Sequence, residues 1–155
     1  MKLAAGDMWS AWSSVDLFLI TTNSTVRRDG ALVMGRGIAK EAATRWPRLP
    51  YSLGNRINSL GTDKYGIIVS AFWPRTKIGA FQVKVYWGDP ADLDLILYST
   101  KKLIHWCGLH PTATVALNFP GIGNGRQDPA NVLPIIQRLP DQVTVWTKRP
   151  LGEIK

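Results

Sequence analysis

The sequence predicts an α/β fold, with helices on both faces of a mainly parallel sheet. Three observations carry that expectation. Short, nearly continuous apolar runs recur along the chain, and such runs are strands buried on both faces. Helical patterns lie between them, the alternation of one α/β domain. Two glycine-rich stretches stand ahead of helices, where open α/β sheets bind ligands outside the carboxyl ends of their strands.

In chain order, "VDLFLITTN" (Val15 to Asn23) is the first buried strand. A helix follows from about Gly37 to Trp46, opened by Met34-Gly35-Arg36-Gly37. "KYGIIVSAFW" (Lys64 to Trp73) reads as a second strand. "ADLDLILYSTKKLIHWCG" reads as a helix with Pro90 near its start and Gly108 at its end. "ATVALNF" (Ala113 to Phe119) and "QVTVWT" (Gln142 to Thr147) are further strands. Between those two lies a helix from about Pro129 to Leu139, with Asp128 as N-cap and Pro129 at the first helical position. Pro134 inside that pattern is an unfavourable helix-interior residue.

At 155 residues the chain fits one domain, and its seven tryptophans give that domain a core. The opening "MKLAAGDMWSAW" has one lysine and then Asp7, a poor signal peptide. No apolar run reaches the roughly 20 residues of a membrane helix. One cysteine (Cys107) and two histidines (His105, His110) leave no disulfide and no zinc spacing. A cytoplasmic, metal-free, cofactor-free monomer is expected. Nineteen basic against eleven acidic residues, a formal +8, favour an anionic partner such as a nucleotide or nucleic acid. The basic residues are scattered, so a solvated basic surface competes with that reading.

A glycine pair around Arg36 is a poor helix opening, because glycine in an element interior costs about 0.5–1 kcal/mol relative to alanine. Room for a ligand against the backbone is one reason to keep it. The second glycine-rich stretch, "NFPGIGNGRQDPANV" (Asn118 to Val132), sits at a strand-to-helix junction, where backbone N–H groups and a helix N-terminus favour phosphate. Tight turns alone would also use these glycines. Neither loop fits a dinucleotide fingerprint, and no GxxxxGK[ST] occurs. Two such loops suit a clamp on a diphosphate.

"GDMW", "TTNSTVRRDGALVMGRGIAKEA" and "FPGIGNG", in that order over nearly the whole chain, resemble a macrodomain, the ADP-ribose-binding module. The resemblance implies a three-layer α/β/α sandwich around a mixed sheet, with ADP-ribose at the strand ends. By position, Asp7 matches the acid that reads the adenine amino group, with Met8 beside it. Thr22 and Asn23 match the end of the "TTN" strand beside the distal ribose. Met34, Gly35, Arg36, Gly37 and Ile38 match the first phosphate-side loop. Pro120, Gly121, Ile122, Gly123, Asn124 and Gly125 match the second. Asp7 as a turn residue and Asn23 as a strand-end cap are the competing readings.

"FQVKVYWGDPADL" (Phe81 to Leu93) resembles the F-P-T-K-x-x-W segment of one macrodomain branch. That branch includes the human terminal ADP-ribose glycohydrolase and antitoxin macrodomains that remove ADP-ribose from DNA bases. Its lysine helps break the glycosidic bond as a nucleophile at the distal ribose, which makes Lys84 and Asn23 the catalytic candidates and Trp87 the matching aromatic. A desolvated lysine with a depressed pKa suits that chemistry, whereas an exposed strand-edge lysine is the plain alternative. Gln82 and Val83 replace the branch's proline and threonine. Gly125 falls where the glutamyl-acting enzymes carry aspartate, and Asp128 reads as a helix cap, so no carboxylate is expected beside Lys84. The implied function is release of ADP-ribose from a nucleic-acid or protein conjugate. An ADP-ribose 1″-phosphate phosphatase, a non-catalytic reader and a nucleic-acid-binding module are the alternatives. His105 and His110 read as structural and Cys107 as a core thiol; Trp9 and Trp12, close to Asp7, read as packing residues, with flanking of the adenine as the alternative.

Overall fold

The computed structural model describes residues 1–69 and 77–154. Among them, six strands make one sheet: β1 (Lys2–Ala5), β2 (Leu17–Thr22), β3 (Ile67–Val69), β4 (Ile78–Gln82), β5 (Val115–Asn118) and β6 (Val143–Thr147). Their spatial order is β1-β6-β5-β2-β4-β3, parallel throughout except for the antiparallel β3–β4 pair. The helices are α1 (Gly37–Arg45), α2 (Leu49–Leu60), α3 (Leu93–Leu109) and α4 (Pro129–Ile136).

Side chains on a strand alternate between faces, and the central strands use both. Leu17 and Leu19 of β2 pack with Ile96 and Leu103 of α3 and Val132 and Ile136 of α4. Phe18 and Ile20 face the opposite layer, with Ala42 of α1, Leu53 and Ile57 of α2, and Met8 and Trp9 of the 3₁₀ turn Met8–Ser14. The result is the expected α/β/α sandwich with a mixed, mainly parallel sheet. Trp9 stacks on Phe18 with centroids 4.6 Å apart, which makes it a packing residue. Cys107 is 1% exposed, and burial pushes its thiol up to about 11.

The apolar runs give strands shorter than their patterns. The Val15–Asn23 run becomes β2, and the Lys64–Trp73 run contributes Ile67–Val69, with residues 70–73 outside the described residues. The terminal helix stops at Ile136, held at its start by the Asp128 side chain accepting from the Ala130 N–H. Three elements carried no sequence expectation: β1, β4 and α2. β1 is a mostly exposed edge strand without an apolar run. β4 carries Gly79 because a Cβ there would lie 2.4 Å from the Ile68 carbonyl oxygen of β3. α2 has Pro50 in its first turn and Gly54 in its interior, both weak helix signals.

Two connections position the site. The chain leaves β2 through α1 and α2 toward β3 and β4, and leaves β5 through α4 toward β6 on the other side. β2 and β5 are neighbours, so crossovers diverge between them and open a crevice at their carboxyl ends. α3 runs the other way, ending at β5's start, so His105 and His110 lie at the end of the sandwich away from that crevice. His110 stacks on Trp106 at 4.3 Å, a structural contact as expected. Among the described residues, no helix is long and apolar enough to cross a membrane.

Candidate functional site

The first glycine loop begins more than ten residues beyond β2, yet the fold returns it to the strand end. Val26 and Leu32 form an antiparallel bridge, and the Val33 N–H donates 2.9 Å to the Thr25 carbonyl. Asn23, 9% exposed, fastens this excursion. Its Nδ2 donates to the Val33 carbonyl at 3.0 Å, and its Oδ1 accepts from the Thr25 N–H at 2.9 Å. The strand-end cap is therefore real, and it sets Met34 and Gly35 beside the crevice. One amide hydrogen of Asn23 remains for another acceptor.

Gly35, Arg36 and Gly37 are exposed and open α1, while Met34 is buried beneath them and Ile38 half-buried. The helix N-cap is Arg36, with no side-chain capping bond; a guanidinium has no acceptor to offer. The first N–H groups of α1 are thus left without an intrahelical partner. α3 and α4 differ, since Asp92 and Asp128 cap them with carboxylates.

The glycines of the two loops are there for different reasons. Gly37 has φ +58°, and a Cβ on it would sit 3.4 Å from Asn124 Nδ2 of the second loop. Gly121 has φ +79° and leaves no room, with Ile96 Cδ1 2.7 Å and Ala91 Cβ 3.2 Å from a Cβ. Gly125 likewise meets Ala91 Cβ at 3.0 Å. At Gly35, in contrast, a Cβ would meet no described atom within 4 Å. Among the described residues, no packing contact requires glycine there.

The second loop leaves β5 through Phe119, buried Pro120 and Gly121, half-buried Ile122, and the 3₁₀ turn Gly123–Gly125, in which Gly123 and Asn124 are exposed. Asn118 holds its root: Oδ1 accepts from the Thr21 N–H at 2.9 Å and Nδ2 donates to Thr21 Oγ1 at 2.8 Å. The loop is then tied to the segment after β4. Ala91 N–H donates to the Gly125 carbonyl at 2.8 Å, Gln127 Nε2 to the Ala91 carbonyl at 2.6 Å, and Arg126 Nη2 to the Gly88 carbonyl at 2.9 Å.

Lys84 lies half-buried just past β4. Its Nζ donates to the Asp89 carbonyl at 3.0 Å. Burial first, then the Arg126 and Arg36 charges, hold the amine below the usual lysine range, and Asp89 opposes them. Asp89, in the turn that follows, meets Lys84 through its backbone carbonyl, and its carboxylate exerts only the smallest of the effects on the amine. The branch's proline and threonine positions are filled structurally here. Val83 is a core side chain, 5% exposed. Gln82, fully buried, accepts from the Tyr65 and Gly66 N–H groups at 2.8 and 3.2 Å and donates to the Asp63 carbonyl at 3.1 Å.

Asp7 ends the turn out of β1, exposed, with Oδ1 accepting from the Trp9 N–H at 3.0 Å; Met8 beside it is buried in the core. From β1 to β4 is four strand spacings, about 19 Å at 4.8 Å each. The candidate residues are therefore spread along the sheet, Asp7 after β1 and Lys84 after β4, with the glycine loops after β2 and β5 between them. Among the described residues, no group of His, Cys, Asp and Glu is placed to hold a metal ion.

Solved structures share this arrangement of sheet and helices. The macrodomain of Thermus aquaticus DarG matches with a TM-score of 0.73 at 24% identity, covering 96% of this chain and 97% of that one. The chain has the macrodomain fold. Thermosipho africanus DarTG in complex with ADP-ribose matches at a TM-score of 0.71 and 15% identity, over all of this chain and 43% of that longer chain. The macrodomain of Mycobacterium tuberculosis DarG matches at 0.65 and 23%, covering 94% and 95%. No protein-family model and no curated protein matches the sequence.

Within this macrodomain fold, Tyr65 is a site-supporting residue that the sequence reading missed. Its buried hydroxyl donates to the Asn23 carbonyl at 2.7 Å, so the 2.5 Å bond to Thr22 Oγ1 has Thr22 as donor. Desolvation raises the phenol far above its ordinary range, so it stays protonated as this donor. Thr22 is thereby turned into the core beneath the crevice. Replacing Tyr65 with phenylalanine leaves the Asn23 carbonyl and the Thr22 hydroxyl unpaired in a buried setting, a loss of about 1–3 kcal/mol. Thermal denaturation is expected to register it as a Tm lowered by roughly 2–4 °C per kcal/mol.

Proposed function

We propose that residues 1–155 form one macrodomain that binds ADP-ribose across this cleft and hydrolyses it from a conjugate. The observation that carries the reading is the meeting of the two glycine loops, Gly37 against Asn124, between the Asp7 carboxylate and the Lys84 amine. Asp7 Oδ2 accepts from the adenine amino group. The diphosphate lies along the open backbone at Gly35, where the uncapped N–H groups of α1 face it, and against Ile122–Gly125. The distal ribose then reaches Lys84, with Asn23 holding the loop beside it. The neighbour from Thermosipho africanus, seen with ADP-ribose, supports the choice of ligand.

The depressed pKa gives Lys84 a neutral fraction for attack on the anomeric carbon of the distal ribose. The amine lone pair forms the Nζ–C1″ bond as the bond to the conjugate breaks. That bond's electron pair leaves with the conjugate, which takes up a proton, and the new ammonium gives one up. Water then attacks C1″ and its proton passes to Nζ, which takes the C1″–Nζ electron pair and leaves as the neutral amine, so ADP-ribose and free Lys84 result. Tyr86 and Trp87, 50% and 43% exposed beside Lys84, with Arg36 and Arg126 nearby, favour a nucleic-acid conjugate over a protein one, since aromatic faces stack bases.

Calorimetric titration with ADP-ribose tests the binding. Micromolar affinity is expected for the wild type, weakened about tenfold or more in Asp7→Ala, a loss near 1.4 kcal/mol. Absence of binding by the wild type would remove the reading at its root, and an unchanged Asp7→Ala would reverse the orientation of the ligand.

A further inference from the structure

We propose that Arg126 is a positioning residue for Lys84: from the second glycine loop it grips the Gly88 carbonyl and so fixes the turn whose next carbonyl, that of Asp89, receives the Lys84 amine. The inference rests on the hydrolase reading for its meaning, and on geometry for its substance. Arg126 Nη2 and Lys84 Nζ bind successive carbonyls of one exposed turn, at 2.9 and 3.0 Å. That turn is also closed by the Asp89 N–H on the Tyr86 carbonyl at 3.1 Å. Its far end is tied back to the same loop through Ala91, which bonds Gly125 and Gln127. Three ties thus hold the lysine's turn against the glycine loop, and Arg126 supplies the one nearest the amine.

The backbone of Arg126 gives the second observation. It adopts φ +59°, ψ +17°, and is the one non-glycine residue with positive φ among the described residues. A left-handed conformation is unfavourable for an L-residue, and glycine would carry it freely. Stability alone would therefore favour glycine at this position. Local strain of this kind persists where a side chain is needed in one place. The need here is electrostatic as well as steric. The charges of Arg126 and Arg36, one from each glycine loop, act on Lys84, and the Asp89 charge opposes them. A second and third positive charge disfavour the ammonium form of Lys84, while the Asp89 charge and the hydrogen bond to the Asp89 carbonyl favour it.

The test uses Arg126→Gly, Arg126→Gln and Arg126→Lys in the full chain. Lys84 is followed directly by NMR titration of the isotope-labelled lysine amine in the unliganded protein, with Lys84→Arg to assign the signal. In Arg126→Gly and Arg126→Gln the titration is expected to move to higher pH, and in Arg126→Lys, which keeps the charge, to move less. Arg126→Gly is expected to melt no lower than the wild type, because the strain is gone. On an ADP-ribosylated oligonucleotide the rise of kcat with pH should move with the titration, losing about tenfold at neutral pH for each pH unit moved. A Lys84 titration unchanged in both Arg126→Gly and Arg126→Gln would overturn the proposal, whatever the turnover. A shifted titration in a protein that hydrolyses nothing would instead uphold the role of Arg126 and refute the hydrolase reading. Should Arg126→Gly fail to fold, Arg126→Gln and Arg126→Lys decide the matter between them.

Discussion

Lys84→Ala is expected to cut turnover of an ADP-ribosylated conjugate by on the order of a thousandfold, the scale on which loss of a nucleophile acts. Affinity for free ADP-ribose should change little, because in the proposed arrangement Asp7 and the glycine loops hold the ligand. The wild-type rate should climb with pH. Only the neutral amine has a lone pair, so as pH rises through the Lys84 pKa the active fraction grows and then levels off. Since burial, Arg126 and Arg36 lower that pKa, the plateau is expected below the usual lysine range. Lys84→Arg should be as dead as the alanine variant at every pH, a guanidinium never being neutral in proteins. A pH–rate profile with single-turnover measurements checks both points. Turnover that survives Lys84→Ala would move the chemistry elsewhere, and a wild type that binds without turnover would make the protein a reader.

Gln82→Pro, which restores the residue of the macrodomain branch this chain resembles, is expected to destabilise the fold severely. The Gln82 backbone N–H donates to the Gly66 carbonyl at 2.7 Å, and proline has no N–H to give. The lost side chain would also orphan the Tyr65 and Gly66 N–H groups. Each buried unpaired donor costs about 1–3 kcal/mol, so a loss above about 4 kcal/mol and a Tm more than roughly 10 °C lower are expected. Gln82→Leu keeps the backbone bond and should fall between the two. Denaturant melts of the three proteins read this order directly, and a proline variant as stable as the wild type would contradict the accounting. Because Gln82 Nε2 also points at the Lys84 carbonyl, 3.5 Å away, damage here reaches the site.

The local pattern of residues was enough for β2, β5, β6, α1, α3 and α4. Each is either buried on both faces or amphipathic, so its own side chains announce it, and Asp128 with Pro129 marks the start of α4 without help. The glycine loops were legible for a related reason: glycine at a strand-to-helix junction is conspicuous in any sequence. Other parts were decided only in three dimensions. β1 exists because β6 offers it a ladder from Thr144 to Thr147, and "KLAA" has no burial signal of its own. β4 carries a glycine forced by the closeness of β3. The separation of glycines held by packing, at Gly121 and Gly125, from the open ones at Gly35 and Gly123 cannot be read from letters that are identical. Nor can the grip of Arg126 on Gly88, or the pairing of Tyr65 with Thr22 and Asn23, since these join residues 38 and 42 or 43 positions apart. A sequence reports what each segment prefers alone. The charge and hydrogen bonding around Lys84 come from three loops that meet only when the sheet order brings β2, β4 and β5 side by side.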